Sequence, residues 1–99
     1  MTIRIERSSL ARTDLMQIWE FVAEDNADAA DRLLHGINAT VERLAEFPER
    51  GHRKDEIGLG VRLMLHKRYL IVYRYLPEEK LVSILRVVHG SRDLTRLLL

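Results

Sequence analysis

A chain of 99 residues, 46% hydrophobic and 31% charged, is sized and composed for one globular domain spanning residues 1–99, with a thin core. It has no cysteine, which removes disulfide and thiolate chemistry. No apolar run approaches the ~20 residues of a membrane span and no signal-peptide pattern opens the chain, so a soluble cytoplasmic protein is expected. The net charge of +1 hides a division: residues 1–49 carry 5 Lys/Arg against 10 Asp/Glu, and residues 50–74 carry 7 against 2. That basic block can steer an anionic partner, yet it falls short of a committed nucleic-acid binder, and direct nucleic-acid binding is not expected.

Thr2 to Glu6 alternates polar and apolar and predicts a short strand. Ser8 and Ser9 offer a cap for a helix in which Ala11, Leu15, Ile18, Trp19 and Val22 recur at helical spacing, with Trp19 expected in the core. Asp25 and Asn26 interrupt that pattern. Asn26 caps a second helix, Asp28 sits in its first turn, and Ala30, Leu33, Leu34, Ile37, Val41, Leu44 and Ala45 form its apolar face. Pro48 disfavours helical geometry at Phe47 and ends it there. So short a turn between the helices predicts an antiparallel hairpin. Residues 48–60 read as a loop marked by Pro48, Gly51, Gly58 and Gly60. Three strand-like runs follow, at 61–65, 69–76 and 81–88, joined by short connections that favour an antiparallel meander. The order β-α-α-β-β-β predicts an α+β domain, the helical hairpin packed on one face of a three- to four-stranded, mainly antiparallel sheet, with a short C-terminal tail or helix.

The last two strands are apolar on both faces. Simple alternation sends Leu81, Leu85 and Val87 one way and Val82, Ile84 and Val88 the other. Leu70 and Val72 likewise oppose Ile71, Tyr73 and Tyr75. A helical hairpin covers one face only. The tail from Leu94 to Leu99, including Leu97 and Leu98, can fold back over part of the second, and the remaining apolar surface predicts a protein partner. The last strand runs into His89-Gly90-Ser91-Arg92-Asp93. Gly90 permits a sharp turn, and Arg86, Arg92 and Asp93 are placed for ion pairs, so this cluster reads as one that shapes and presents a surface. His35, His52 and His66 show no metal-ligand spacing, and no phosphate loop or nucleophile elbow is present. Neither a metal nor any other cofactor is expected.

"DLMQIWEFVAEDNADAADRL", "LAEFPERGHR", "GVRLMLHKRYLIVYRY" and "ILRVVHGSRDL" occur here in the order found in the ParE/RelE superfamily of type II toxins. The chain resembles that superfamily over nearly its whole length, and its ParE branch most closely. The family commonly has Asn-Pro where this chain has Asn26-Ala27. The resemblance implies a compact, growth-arresting toxin bound in a hetero-oligomer by a cognate antitoxin, ParD-like or similar, whose disordered tail folds on binding. For the ParE branch it implies a non-catalytic inhibitor of DNA gyrase. Arg62, Arg68, Tyr73, Tyr75, Arg86, His89, Arg92, Leu97 and Leu98 are then candidates for target or partner contact. For the RelE branch it implies ribosome-dependent, metal-free cleavage of mRNA, with Glu56 as base, Arg62 or Arg68 on the phosphate and His89 as acid. The tail lacks the aromatic residue several nuclease relatives carry, which favours the first branch. A third alternative is an inactive relative that only binds its antitoxin.

Overall fold

The computed structural model describes residues 2–92 and Leu94. Among these, the elements run β1 (Arg4–Arg7), α1 (Ser9–Ala23), α2 (Ala27–Arg43), β2 (His52–Arg53), β3 (Val61–His66), β4 (Tyr69–Leu76) and β5 (Leu81–His89), with a 3-10 turn at Pro77–Glu79. The expected α+β architecture is present, and the sheet has five strands in the order β1-β5-β4-β3-β2. β1 lies parallel to β5, and the other pairs are antiparallel. The additional strand is β2, within the stretch read as loop. Two residues carry no periodicity for a sequence to show. β2 is held instead by Asp55, whose carboxylate accepts from Arg53 Nε at 2.9 Å and from the Gly60 amide at 3.0 Å, so the chain doubles back onto β3.

Both helix starts are capped as expected. Ser8 Oγ accepts from the Ala11 amide at 3.0 Å and Asn26 Oδ1 from the Ala29 amide at 3.0 Å. α2 stops at Arg43 rather than Phe47, because Ala45 and Glu46 bond three residues back and tighten the chain into turns before Pro48. The main core lies between the hairpin and the sheet, where Ala11, Ile37, Val41 and Leu44 meet Ile71, Tyr73, Val82, Ile84 and Val87. Burying a Val or Ile side chain contributes roughly 1.5–3 kcal/mol, so this layer is the principal stabilising term. Trp19 is not part of it. It is 38% exposed and its indole N–H donates to Asp31 at 2.8 Å, bridging the two helices along their outer side. The indole needs a polar partner, and the turn of α2 beyond Asn26 supplies one.

The faces of β5 differ from simple alternation. Val72 pairs with Arg86 and Tyr73 with Ile84, which leaves Leu85 as an extra, unpaired residue: a β-bulge. Beyond it the alternation is reset, so Val82, Ile84 and Val87 join the main core while Leu85 and Val88 join the rear cluster. The bulge is fastened to α1. Ser8 donates its amide to Ile84 O at 2.9 Å and its hydroxyl to Leu85 O at 2.8 Å. Six residues further on, Asp14 accepts from the Val87 amide at 2.9 Å and from Arg86 Nε and Nη2 at 2.8 and 2.9 Å. Arg86 therefore pairs with Asp14, and Asp93 lies outside the described residues.

The rear face is less bare than expected. Val61, Val72 and Val88 are buried there, with Ile57 from the loop and Leu94 packed against them. The loop between β2 and β3 lies over this face because Asp55 and the positive φ of Gly60 turn it inward. Leu65, on the same strand face as Leu63 and paired with Leu70, stays exposed on this side, and the other large exposed apolar side chains among the described residues are Leu10, Met16, Trp19 and Phe21 on α1 and Phe47 and Leu59 in loops.

At the far end of β3, His66 lies against α2. The Thr40 hydroxyl donates to Gly36 O at 3.0 Å, so its oxygen is left to accept from His66 Nδ1–H at 3.1 Å. A Cβ on Gly36 would stand 2.6 Å from His66 Nε2, so glycine is what lets the ring approach. Burial, aided by the Lys67 charge, holds the His66 pKa below 6.5.

Two outcomes follow from these contacts. Asp14→Ala leaves the Arg86 guanidinium buried without its partner, and urea denaturation is expected to show a loss of about 3–5 kcal/mol. The His66 contribution to stability is fully present above pH 6.5. It declines as pH falls through 6.5 towards the lower folded-state pKa, because the unfolded chain takes up that proton first. Urea midpoints measured from about pH 7.5 to about pH 5 are expected to fall more steeply for the native chain than for His66→Gln.

Candidate functional site

Beyond the bulge, β5 ends beside the β3–β4 turn. The Gly90 amide donates to Arg68 O at 2.7 Å, and a Cβ on Gly90 would crowd that oxygen at 3.3 Å. This contact brings Lys67 and Arg68 of the turn next to His89 and Arg92. All four side chains are exposed, and none of the three Lys/Arg takes part in an ion pair among the described residues. His89 stacks edge-on against Tyr69 with ring centroids 5.6 Å apart. Its Nδ1 accepts from the Ser91 amide at 3.2 Å and lies 2.8 Å from the Ser91 hydroxyl, so the neutral ring carries its proton on Nε2. Between this end of the sheet and α1 lies a groove of ≈ 350 Å³, bordered by Ile18 and Phe21 on the helix and by Tyr69, Val87, His89 and Arg92. Phe21 is 72% exposed. The arrangement is an apolar slot with a cationic rim, suited to binding an amphipathic, acidic surface.

Of the residues singled out from sequence, Arg68, His89 and Arg92 are brought together here. Arg86 and Tyr73 do not reach a surface. Arg86 is engaged by Asp14, whose hydrogen bonds hold the guanidinium charged, and Tyr73 is fully buried. Leu97 and Leu98 lie outside the described residues. Glu56 is exposed and 3.8 Å from Lys54. Arg62 donates to Glu49 O at 3.0 Å and Gly51 O at 2.9 Å. Arg62 pairs with Tyr73 while His89 pairs with Tyr69, an offset of four strand residues, or roughly 13 Å at ~3.3 Å each. Glu56, Arg62 and His89 therefore do not converge on one phosphate-sized space. Among the described residues there is also no cluster of ligating side chains fit to hold a metal ion. Asp14 and Phe21 went unremarked in the sequence. The signal for Asp14 was a carboxylate set inside the apolar stripe of α1, between Ala11 and Ile18.

Tyr73 and Arg62 instead build a neighbouring loop. The Tyr73 hydroxyl donates to Pro48 O at 2.9 Å and accepts from the Gly51 amide at 2.8 Å, and burial raises its pKa so that the donor proton is kept. A Cβ on Gly51 would overlap that hydroxyl at 2.5 Å. Tyr73→Phe strands a buried N–H and C=O and is expected to cost about 1–3 kcal/mol. The check is hydrogen exchange, which should accelerate at Gly51 while the β4–β5 amides stay protected.

Comparison with known proteins agrees with this geometry. The profile of the ParE toxin of the type II toxin–antitoxin system parDE matches residues 5–94. The chain is 29% identical to toxin ParE3 of Caulobacter vibrioides over 92 residues, covering 92% of this chain and 90% of that one. It is 28% identical to toxin ParE1 of Mycobacterium tuberculosis over 97 residues, covering 97% and 98%. Its fold is similar to a chain of the chromosomal ParDE toxin–antitoxin system from P. aeruginosa, with a TM-score of 0.74 at 21% identity over 88% of this chain and 95% of that one. It is also similar to a chain of the RelBE2 toxin–antitoxin complex from M. tuberculosis, with a TM-score of 0.66 at 23% identity over 90% and 99%. The chain belongs to the ParE toxin family of type II toxin–antitoxin systems.

Proposed function

We propose that residues 1–99 act as a single toxin domain in the bacterial cytoplasm, where the protein binds and inhibits DNA gyrase without catalysis and is neutralised by a cognate antitoxin in a hetero-oligomer. The observation that carries this reading is the groove between α1 and the end of β5, with Phe21 exposed in it, His89 and Arg92 bordering it, and the exposed Lys67 and Arg68 in the adjoining β3–β4 turn. Apolar side chains left in water beside exposed cations make a surface suited to binding. The separation of Glu56, Arg62 and His89 supports binding over RNA cleavage. Among the described residues no helix is long and apolar enough to cross a membrane, which is compatible with the proposed location. An antitoxin fits the same picture: the related chains come from a ParDE system and a RelBE2 complex, and the exposed residues of α1 offer area for a folding-upon-binding segment.

The purified chain is expected to inhibit gyrase supercoiling, with inhibition weakening as salt is raised because the rim is solvent-exposed. Arg68→Glu combined with Arg92→Glu reverses two rim charges without touching the core, and is expected to raise the inhibitory concentration by about tenfold or more. Absence of inhibition at excess protein rejects the gyrase assignment. Codon-positioned cuts in mRNA on programmed ribosomes would establish the nuclease instead.

A further inference from the structure

Tyr75 lies on β4 six residues beyond Tyr69, roughly 20 Å along the strand at ~3.3 Å per residue, and so at the opposite end of the sheet from the groove. There it borders a second hollow, of ≈ 580 Å³, together with Glu46, Phe47, Pro48, Glu49 and Arg50. The wall of this hollow is built. The Tyr73 hydroxyl holds Pro48 O and the Gly51 amide, Arg62 holds Glu49 O and Gly51 O, and the Phe47 amide donates to Arg43 O at 3.1 Å. A loop fixed at so many backbone atoms nevertheless presents Phe47 with 58% of its surface exposed. Glu46 and Glu49 flank it, and neither carboxylate has an ion-pair partner among the described residues.

We propose that this hollow is a socket for one cationic side chain, an arginine or lysine presented by a partner protein. Phe47 and Tyr75 supply aromatic faces that attract a cation, and Glu46 and Glu49 supply charge of the opposite sign beside them. Glu46 lies three residues beyond Arg43, the last residue of α2, on the side where the helix dipole is negative. Arg50 is not that cation. It makes no stacking contact with Phe47 or Tyr75 among the described residues, and it also borders the separate hollow beneath Arg43 and Met64. The socket is independent of the gyrase assignment, since it concerns a different surface and any partner carrying such a side chain.

The test is an amide-resolved NMR titration of the full chain with N-acetyl-arginine amide and, in parallel, with N-acetyl-norleucine amide, a neutral side chain of similar reach. The arginine compound is expected to shift the amides of Phe47, Glu49 and Tyr75 in a saturable way, and the norleucine compound to leave them unmoved. Glu46→Gln with Glu49→Gln, both at exposed positions, is expected to weaken arginine binding about fivefold or more. Tyr75→Leu is expected to weaken it independently by removing one aromatic face. Equal shifts with norleucine overturn the proposal, because the hollow is then a plain apolar slot. So does arginine binding that survives the double Glu→Gln change, or shifts confined to other acidic surfaces.

Discussion

The fold depends on the clasp between α1 and the β5 bulge. Ser8 and Asp14, nearly two helical turns apart, satisfy polar groups of residues 84–87 at the point where the strand's hydrogen-bond ladder is interrupted. A bulge frees backbone groups that must find partners when buried. Here the first turns of the helix supply them, so the irregularity in the strand and the position of the helix determine each other. The buried ion pair between Asp14 and Arg86 adds geometric definition more than net stability, since desolvation offsets much of its Coulomb energy.

What the clasp positions is the far end of β5. By resetting the alternation it turns Val87 into the core and lets the strand run on to His89, beside Tyr69 and under Phe21. The groove therefore has a rigid floor and a helix wall held in register with it. Arg92 follows the strand itself, and Lys67 and Arg68 come from the β3–β4 turn, which the β4–β5 ladder and the bond between Gly90 and Arg68 hold beside His89. The opposite end of the sheet follows the same logic with other residues, a buried tyrosine and an arginine fixing a loop whose remaining side chains face water. Each end of β4 thus borders a hollow whose walls are fixed by side chains from other elements.

Much of this was legible in the sequence where periodicity is strong. Both helices, their capping residues Ser8 and Asn26, and the three long strands follow from spacing and turn chemistry. The family likeness was legible in four short segments taken in order. The misses have physical causes. β2 is set by side-chain hydrogen bonds of Asp55, which leave no pattern. The bulge at Leu85 is a tertiary event, and without it strict alternation assigns Val87 and Val88 to the wrong faces. Trp19 and Tyr73 exchanged their expected settings, the indole outside and the phenol inside, because each polar tip went where a partner was available. Of the candidate site, His89 and Arg92 stood out beside the Gly90 turn and Arg68 entered through the family likeness, whereas Phe21 lies off the apolar spacing read for α1 and was passed over.

The parallel pairing of β1 with β5 places Arg4 beside Leu81, so the first strand to be synthesised finds its only neighbour in the last. Such a contact closes a very long loop, and its entropy must be met before the sheet can propagate. During translation β1 therefore waits for its partner until β5 is complete, while α1 can already pack on α2 through contacts such as Trp19 to Asp31. A prematurely terminated chain would lack the bulge that receives Ser8 and Asp14. The seating of β1 is thus tied to the synthesis of β5, and a polypeptide that stops before it cannot complete the sheet.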